Sequence, residues 1–329
     1  MTISKDIILT VVIPAYNAEN TLERAVSSIV DGVKGHTVEI IVVNDGSRDG
    51  TKNVCEKIAK KNKCSNINIL IVNQENKGHG SAINYGIQHG RGKYLRILDS
   101  DDYFSAEGLE NLLNFLEGCD ADLVINDYRE MTNSEKNGKI VDWAKGLKYR
   151  IQMDYDKIIK NTAPTLLPFS SVRTDLLRNN NCKVDERCYY DDREYDFWII
   201  AKAKTVIYLD DCVYNYVVGN DSQSISKRGF VKNIKDHEKV VGWLLEKYKI
   251  EELSNSKKKY VFENILVELC NLQYYIAIEL KGSRKDFLSF DRILKHYPDL
   301  YYHSGVAGRR ILVHRLFNGI MIKNRKEMI

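Results

Sequence analysis

The first 128 residues alternate between short apolar runs and stretches in which apolar residues recur every three or four positions. The runs predict buried strands, and the spaced stretches predict helices with one apolar face. The predicted strands are Ile7–Ile13, Val38–Val43, Ile67–Val72, Tyr94–Leu98 and Asp122–Ile125, and the predicted helices are Glu19–Val30, Thr51–Lys60, Ser81–His89 and Ala106–Glu117. This alternation favours an α/β fold with a parallel sheet and helices on both faces.

The alternation stops near Tyr128. The next part predicts a loop or hairpin at Thr132–Gly146, helices at Tyr155–Lys160, Thr174–Asn179 and Asp192–Ala203, and two strands at Thr205–Leu209 and Val213–Val218. Beyond Phe230 the spacing predicts helices at Val231–Tyr248, Lys257–Leu280, Arg284–His296 and Gly305–Asn324. We therefore predict an α/β domain over 1–228, with halves at 1–128 and 129–228, and a helical C-terminal region over 229–329.

The composition excludes several classes of protein. A net charge of +4 is too balanced for a protein that binds nucleic acid through charge. No uncharged run approaches the roughly 18 residues of a membrane span. The seven cysteines include no C-x-x-C pair, which favours reduced thiols in a cytoplasmic protein.

Polar residues follow each of the first four predicted strands. They are Pro-Ala-Tyr-Asn at 14–17, Asn-Asp-Gly-Ser at 44–47, Asn-Lys-Gly-His-Gly at 76–80 and Asp-Ser-Asp-Asp at 99–102. The carboxyl ends of parallel strands meet at one edge of the sheet, where ligands bind in open α/β folds. We therefore expect a ligand site there.

Three carboxylates within four residues repel one another unless a cation or strong hydrogen-bond donors lie among them. Carboxylate oxygens suit Mg²⁺ or Mn²⁺, which could bridge a diphosphate; alternatively, Asp101 or Asp102 only caps the following helix. Asp45 could accept a hydrogen bond from a pyrimidine ring or serve as a turn residue. Tyr16 could stack on a base or pack as an ordinary aromatic side chain.

Four segments together resemble the family 2 glycosyltransferases of the GT-A fold. They are Val-Val-Ile-Pro-Ala-Tyr-Asn at 11–17, Val-Asn-Asp-Gly-Ser at 43–47, Asn-Lys-Gly-His-Gly-Ser-Ala-Ile-Asn-Tyr-Gly at 76–86 and Leu-Asp-Ser-Asp-Asp, with its DXD motif, at 98–102. The resemblance is strong over 7–128 and looser over 164–228. It implies a GT-A fold, which is Rossmann-like with a mostly parallel sheet.

The same resemblance implies roles around a nucleotide-sugar donor. Pro14, Ala15 and Tyr16 would line the base pocket, with Asp45 on a uracil ring. Lys77 and Gly78 would contact the base, the ribose or the phosphates. The implied contacts of Asp99, Ser100 and Asp101 are with the ribose, the sugar or the metal site. The implied ligands of a Mn²⁺ or Mg²⁺ ion are Asp101 and Asp99.

The family also needs a catalytic base, usually in an acidic pair that precedes a helix. The matching pair here is Asp191-Asp192, where Glu-Asp is the common form. We predict that Asp192 is the base, with Asp191 as the second candidate. A solvated acidic helix start is the alternative, because carboxylates favour helix N-termini.

The last predicted helix combines an apolar stripe with positive charge. Residues 305–329 contain six Lys and Arg and one Glu, a net charge of +5. A basic amphipathic helix of this kind can lie on an anionic membrane surface. The resemblance to family 2 glycosyltransferases that make surface polysaccharides implies peripheral contact through 305–329 at the inner face of the cell membrane. Docking on the protein itself or on a second copy in a homo-oligomer stays open.

These observations predict a metal-dependent, inverting glycosyltransferase. The expected donor is a UDP-sugar, and the expected acceptor is a glycan or lipid-linked glycan in the synthesis of a cell-surface polysaccharide such as capsule or exopolysaccharide. One alternative is a nucleotidyltransferase, although residues 14–17 lack its basic glycine-rich signature. Another is a catalytically inactive module that binds sugars or nucleotides.

Overall fold

The computed structural model describes residues 7–61, 65–132, 138–142, 147–162, 166–218, 226–306 and 308–322. The chain divides into two compact units, Met1–Gly219 and Asn220–Ile329. The sequence pattern puts the boundary slightly later, after Arg228.

The described part of the first unit is built on a ten-stranded sheet. Its strands are β1 (Leu9–Ala15), β2 (Val38–Asp45), β3 (Ile67–Gln74), β4 (Tyr94–Ile97), β5 (Tyr103–Phe104), β6 (Leu123–Thr132), β7 (Lys139–Val141), β8 (Met153–Asp154), β9 (Ser170–Arg173) and β10 (Thr205–Val218). The order is β3-β2-β1-β4-β9-β6-β10-β5, with β7 on β6 and β8 on β10. Strands β1–β4 are parallel, as are β6 and β10, whereas β9 lies antiparallel between β4 and β6.

Helices cover both faces of this sheet. They are α1 (Leu22–Gly32), α2 (Thr51–Lys61), α3 (His79–His89), α4 (Ala106–Glu117), α5 (Tyr155–Ile158) with a 3₁₀ turn at Ile159–Asn161, α6 (Thr174–Asn179) and α7 (Asp192–Lys202). On one face, Val11 and Ile13 of β1 share a core with Leu109 of α4. On the other face, Ile41 of β2 packs with Ala82 of α3. Burial from both sides explains the unbroken apolar runs of these strands.

The predicted α/β class is confirmed, and β1–β4 and α1–α4 lie where the sequence predicts them to within a few residues. The two strands predicted at Thr205–Leu209 and Val213–Val218 are wrong, because they form the single strand β10. Its pairing with β6 shifts register on both sides of Cys212. Such an irregularity lets a strand continue through polar residues that break its apolar pattern.

The second unit is helical in its described part. Its helices are α8 (Lys227–Lys232), α9 (Ile234–Ile250), α10 (Asn255–Val261), α11 (Val267–Tyr275), α12 (Arg284–Leu294), α13 (Pro298–Tyr301) and α14 (Arg309–Leu316), with π-helical segments at Phe262–Leu266 and Ile276–Leu280. In the described residues, we find no helix with the length and apolar character needed to cross a membrane.

The single helix predicted at Gly305–Asn324 is wrong. Helix α14 ends at Leu316. Asn318 and Gly319 follow with φ angles of 48° and 70°. This left-handed conformation ends a right-handed helix, and Gly and Asn are the residues that adopt it most easily. Residues 323 and 324 lie outside the described residues.

Candidate active site

The residues predicted to bind a donor gather at the carboxyl ends of β1–β4. Pro14 and Ala15 end β1, and the side chain of Tyr16 beside them is exposed. Asp45 ends β2, and Asp99 follows β4. Because these strands are parallel and adjacent, the fold brings the predicted segments to one edge, which we call the donor edge after the predicted ligand. The contact of each residue with a nucleotide sugar stays a prediction.

Asp45 holds the turn that follows β3. Its Oδ1 accepts hydrogen bonds from the Lys77 backbone N–H at 2.8 Å and from Gln74 Nε2 at 2.7 Å. Its Oδ2 accepts from the Gly78 backbone N–H at 2.8 Å. The carboxylate is therefore already engaged in shaping the segment that carries Lys77 and Gly78, a role that the sequence pattern did not reveal.

Two glycines let the loop between α6 and α7 (180–191, here the α6–α7 loop) lie directly on the start of α3. Gly78 has a φ of 85°, and a Cβ on it would lie 3.0 Å from the backbone N of Arg187. A Cβ on Gly80 would lie 2.2 Å from the carbonyl oxygen of Asp185 and 2.8 Å from Oδ2 of Asp191. The glycine-rich segment therefore brings the acidic pair close to the donor edge of the sheet.

His79 lies between the two predicted halves of the site. Its Nδ1 is 3.0 Å from Asp191 Oδ2, and its Nε2 is 3.4 Å from Asp99 Oδ1. Burial lowers the pKa of His79, but Asp191 and Asp99 outweigh this effect and raise the pKa well above 6.5. Sequence reasoning missed this residue, because nothing in the motif indicates that a segment more than a hundred residues later packs on it.

The acidic pair stands at the start of α7, and its two members differ in exposure. Asp191 is almost fully buried, whereas the side chain of Asp192 is 37% exposed. Burial raises the pKa of Asp192, and the nearby Asp191 raises it further, while Arg193 and His79 lower it. A partly exposed carboxylate with a raised pKa suits proton transfer with a bound substrate. These features favour Asp192 over Asp191 as the base.

The acidic turn after β4 contains two kinds of carboxylate. Asp102 is buried, with its Oδ2 accepting from the Tyr214 hydroxyl at 2.6 Å and its Oδ1 from the Val217 backbone N–H at 2.7 Å. Burial, together with Asp99 and Asp101, raises the pKa of Asp102 to about 8. Asp102 therefore ties the turn to β10, whereas Asp99 and Asp101 are only partly buried.

The alternative role of Asp101 or Asp102 as a helix cap is wrong. Helix α4 begins after Ser105, whose side chain accepts from the Gly108 backbone N–H. This hydrogen bond satisfies one of the unpaired donors of the first turn. Ser105, and neither Asp101 nor Asp102, therefore caps this helix.

Asp99 and Asp101 could supply part of the ligand set of a hard divalent cation. Both offer carboxylate oxygens, and burial, followed by the charge of Asp99, raises the pKa of Asp101. A cation between them would relieve that repulsion. In the described residues, no three His, Cys, Asp or Glu side chains form a group that could hold a metal ion. The remaining ligands would therefore have to come from water or from a bound diphosphate.

The family described as "Glycosyl transferase family 2" matches residues 10–178. This match includes the segments of the donor edge and more than half of the chain, and the protein belongs to this family. The minor teichoic acid biosynthesis protein GgaB of Bacillus subtilis (strain 168) is 27% identical over 231 residues, which are 65% of this chain and 23% of GgaB. The chain thus spans less than a quarter of the length of the first curated relatives that it matches.

Two solved structures share the fold. S. aureus TarS 1-349 in complex with UDP-GlcNAc has a TM-score of 0.66 and 19% identity, over 90% of this chain and 82% of that chain. The mannosyltransferase PcManGT from Pyrobaculum calidifontis, in complex with GDP-Man and Mn²⁺, has a TM-score of 0.53 and 15% identity, over 94% and 79% of the two chains. These similarities confirm the predicted GT-A class of fold.

Proposed function

We propose that this protein transfers a sugar from a UDP-sugar to a hydroxyl group of a glycan or lipid-linked glycan, with inversion at the anomeric carbon. Membership of family 2 supports the transfer reaction. The UDP-GlcNAc bound to TarS supports the class of donor. The name of GgaB supports a cell-surface polymer as the product.

The observation that carries this proposal is the position of His79 between Asp99 and Asp191. One imidazole lies within 3.4 Å of a carboxylate on the donor edge and of a carboxylate beside the predicted base. An inverting transfer needs the base close to the anomeric carbon of the donor. The juxtaposition of the two carboxylates supports such an arrangement.

The proposed reaction gives different roles to Asp192 and Asp191. Asp192 takes the proton of the acceptor hydroxyl, whose oxygen attacks the anomeric carbon from the side opposite the diphosphate. The bond between that carbon and the phosphate oxygen breaks, and its electron pair leaves with the nucleoside diphosphate. Asp191, held by His79 at 3.0 Å, keeps the start of α7 in position.

Asp99 and Asp101 would hold the divalent cation, Mn²⁺ or Mg²⁺. The Mn²⁺ in the mannosyltransferase complex supports the use of a divalent cation. When bound, the cation would neutralise part of the negative charge on the diphosphate. The partly buried carboxylates of Asp99 and Asp101 are the donors that this chain contributes.

The test compares three variants of the full chain on a panel of UDP-, GDP-, CDP- and ADP-sugars with Mn²⁺. Asp192→Asn should lower the rate of transfer by about a hundredfold or more, the usual contribution of a general base. It should leave the affinity for UDP nearly unchanged. Glu186→Gln, which alters an exposed carboxylate of the same α6–α7 loop, is the matched control and should keep full activity.

Each outcome separates one part of the proposal from the others. Full activity of Asp192→Asn would remove it as the base, and loss of activity in Asp191→Asn alone would give that role to Asp191. Binding of GDP or CDP instead of UDP would change the class of donor. Binding of UDP without turnover of any donor, with glycan acceptors present, would support an inactive binding module.

A further inference from the structure

The C-terminal part of the second unit presents a row of large apolar side chains to solvent. Leu316 is 79% exposed and Ile320 is 71% exposed. Leu312, Phe317 and Met321 are also exposed. We call these five residues, together with Arg309 and Arg310, the α14 surface. Several large apolar groups exposed in one short segment are typical of interaction sites.

The segment is held in place by polar contacts on its inner side. Arg315 Nε donates to Asp291 Oδ1 at 2.7 Å, and its Nη1 donates to the Tyr301 carbonyl at 2.7 Å. Arg284 Nε donates to the Asn318 carbonyl at 2.8 Å. Arg315 and the Asn318 carbonyl therefore make the inward contacts, while the large apolar side chains face outward. An ordinary surface helix buries its apolar side instead.

The charge around the apolar side chains is positive. Arg309 and Arg310 are exposed there, whereas Arg315 is paired with Asp291 on the inner side. Residues 308–322 contain no acidic residue. A groove of about 440 Å³ is lined by Arg309, Arg310, Val313, His314 and Met321. Arg310 also pairs with Glu279 at 2.8 Å, so Arg309 offers the less engaged guanidinium of the two. Guanidinium groups beside apolar side chains suit a phosphate headgroup with acyl chains beneath it.

We propose that the α14 surface binds an anionic lipid bilayer. The apolar side chains would enter the headgroup boundary, and the arginines would contact lipid phosphates. A second copy of the chain is the less suitable partner. A two-fold interface would place this surface against itself and bring like charges together.

The test measures co-sedimentation of the full chain with vesicles, in the absence of a sugar donor. It therefore does not depend on the proposed transfer reaction. Vesicles of phosphatidylcholine mixed with phosphatidylglycerol are compared with vesicles of phosphatidylcholine alone. We expect binding to the first kind, little binding to the second, and weaker binding at high salt because the charges are exposed.

Leu316→Gln/Ile320→Gln should weaken binding by about tenfold or more, since it removes aliphatic groups that would insert. Arg309→Gln should weaken binding by about fivefold, the equivalent of one charge at an anionic surface. Ile250→Gln/Tyr302→Gln is the matched control. It alters two residues of the same unit with similar exposure, and it should bind like the unaltered chain.

Three results would overturn the proposal. The first is an unaltered chain that does not sediment with anionic vesicles. The second is an equal loss of binding in the control variant. The third is a chain that does not bind vesicles but self-associates in analytical ultracentrifugation, with the association lost in Leu316→Gln/Ile320→Gln; a second copy would then be the partner.

Discussion

The carboxylate of Asp45 supports the turn that carries Lys77 and Gly78, and Asp45→Asn removes part of that support. The two side chains have nearly the same size, so the change is limited to hydrogen bonding and charge. Oδ1 accepts two hydrogen bonds and Oδ2 accepts one. The best orientation of the asparagine keeps its oxygen at the first position and turns its NH₂ group towards the N–H of Gly78.

The expected cost follows from this geometry. One hydrogen bond to a charged group is lost, worth about 1.5–3 kcal/mol, and the other two lose their charged acceptor. We therefore expect the first unit to lose about 2–3 kcal/mol of stability. For a unit of this size, that lowers the midpoint of thermal unfolding by about 4–12 °C. Because the displaced turn belongs to the donor edge, the affinity for UDP should fall as well.

The assay combines thermal unfolding, followed by circular dichroism, with calorimetric titration of UDP. Asp31→Asn is the control, since it makes the same chemical change at an exposed position of α1. Unaltered stability of Asp45→Asn combined with weaker binding of UDP would refute the reasoning. Asp45 would then act on the nucleotide alone.

Three further predictions concern other parts of the molecule. Gly80→Ala should lower both stability and activity, because a Cβ there would lie 2.2 Å from a carbonyl oxygen of the α6–α7 loop. The control Gly242→Ala has open space around its Cβ in α9 and should stabilise that helix by about 0.5–1 kcal/mol. Equal midpoints of thermal unfolding for the two variants would contradict this prediction. Tyr214→Phe should lower the midpoint of thermal unfolding by removing the hydroxyl that donates to Asp102, and an unchanged midpoint would show that this hydrogen bond adds no stability. Burial raises the pKa of Asp196 to about 7, so the folded state disfavours its charged form and stability should fall as the pH rises from about 4 through 7. Asp196→Asn should flatten that part of the curve of unfolding free energy against pH, and a curve that keeps its slope would contradict the shift.

The elements β1–β4 and α1–α4 were predictable because their apolar residues follow simple periodicities. Strands such as β2 are buried on both faces and read as unbroken apolar runs. Strand β9 was not predictable, because Ser-Ser-Val-Arg is short and mostly polar. It forms a strand through pairing with β4 and β6 and not through its own preference. The early end of α14 was also not predicted, because the spacing of apolar residues carries no information about a left-handed turn.

The candidate site was predictable in its residue types but only partly in its connections. The acidic turn after β4 and the acidic pair before α7 stood out as clusters of charge. The link between them did not, because His79 meets Asp191 only after the α6–α7 loop has packed on α3. The engagement of Asp45 with backbone N–H groups was hidden for the same reason. Contacts between distant segments carry no local pattern.

The antiparallel strand β9 has a consequence for the order in which the chain is synthesised. In the described sheet, β4 pairs with β1 on one side and with β9 on the other, and β9 lies between β4 and β6. In a nascent chain that has released residues up to 132, the partner that β4 has on this side in the folded protein has not yet been synthesised. Exposed edges of this kind invite pairing with other chains. Pairing along this edge of β4 must wait for residues 170–173, and the described sheet is complete only once β10 (Thr205–Val218) has followed.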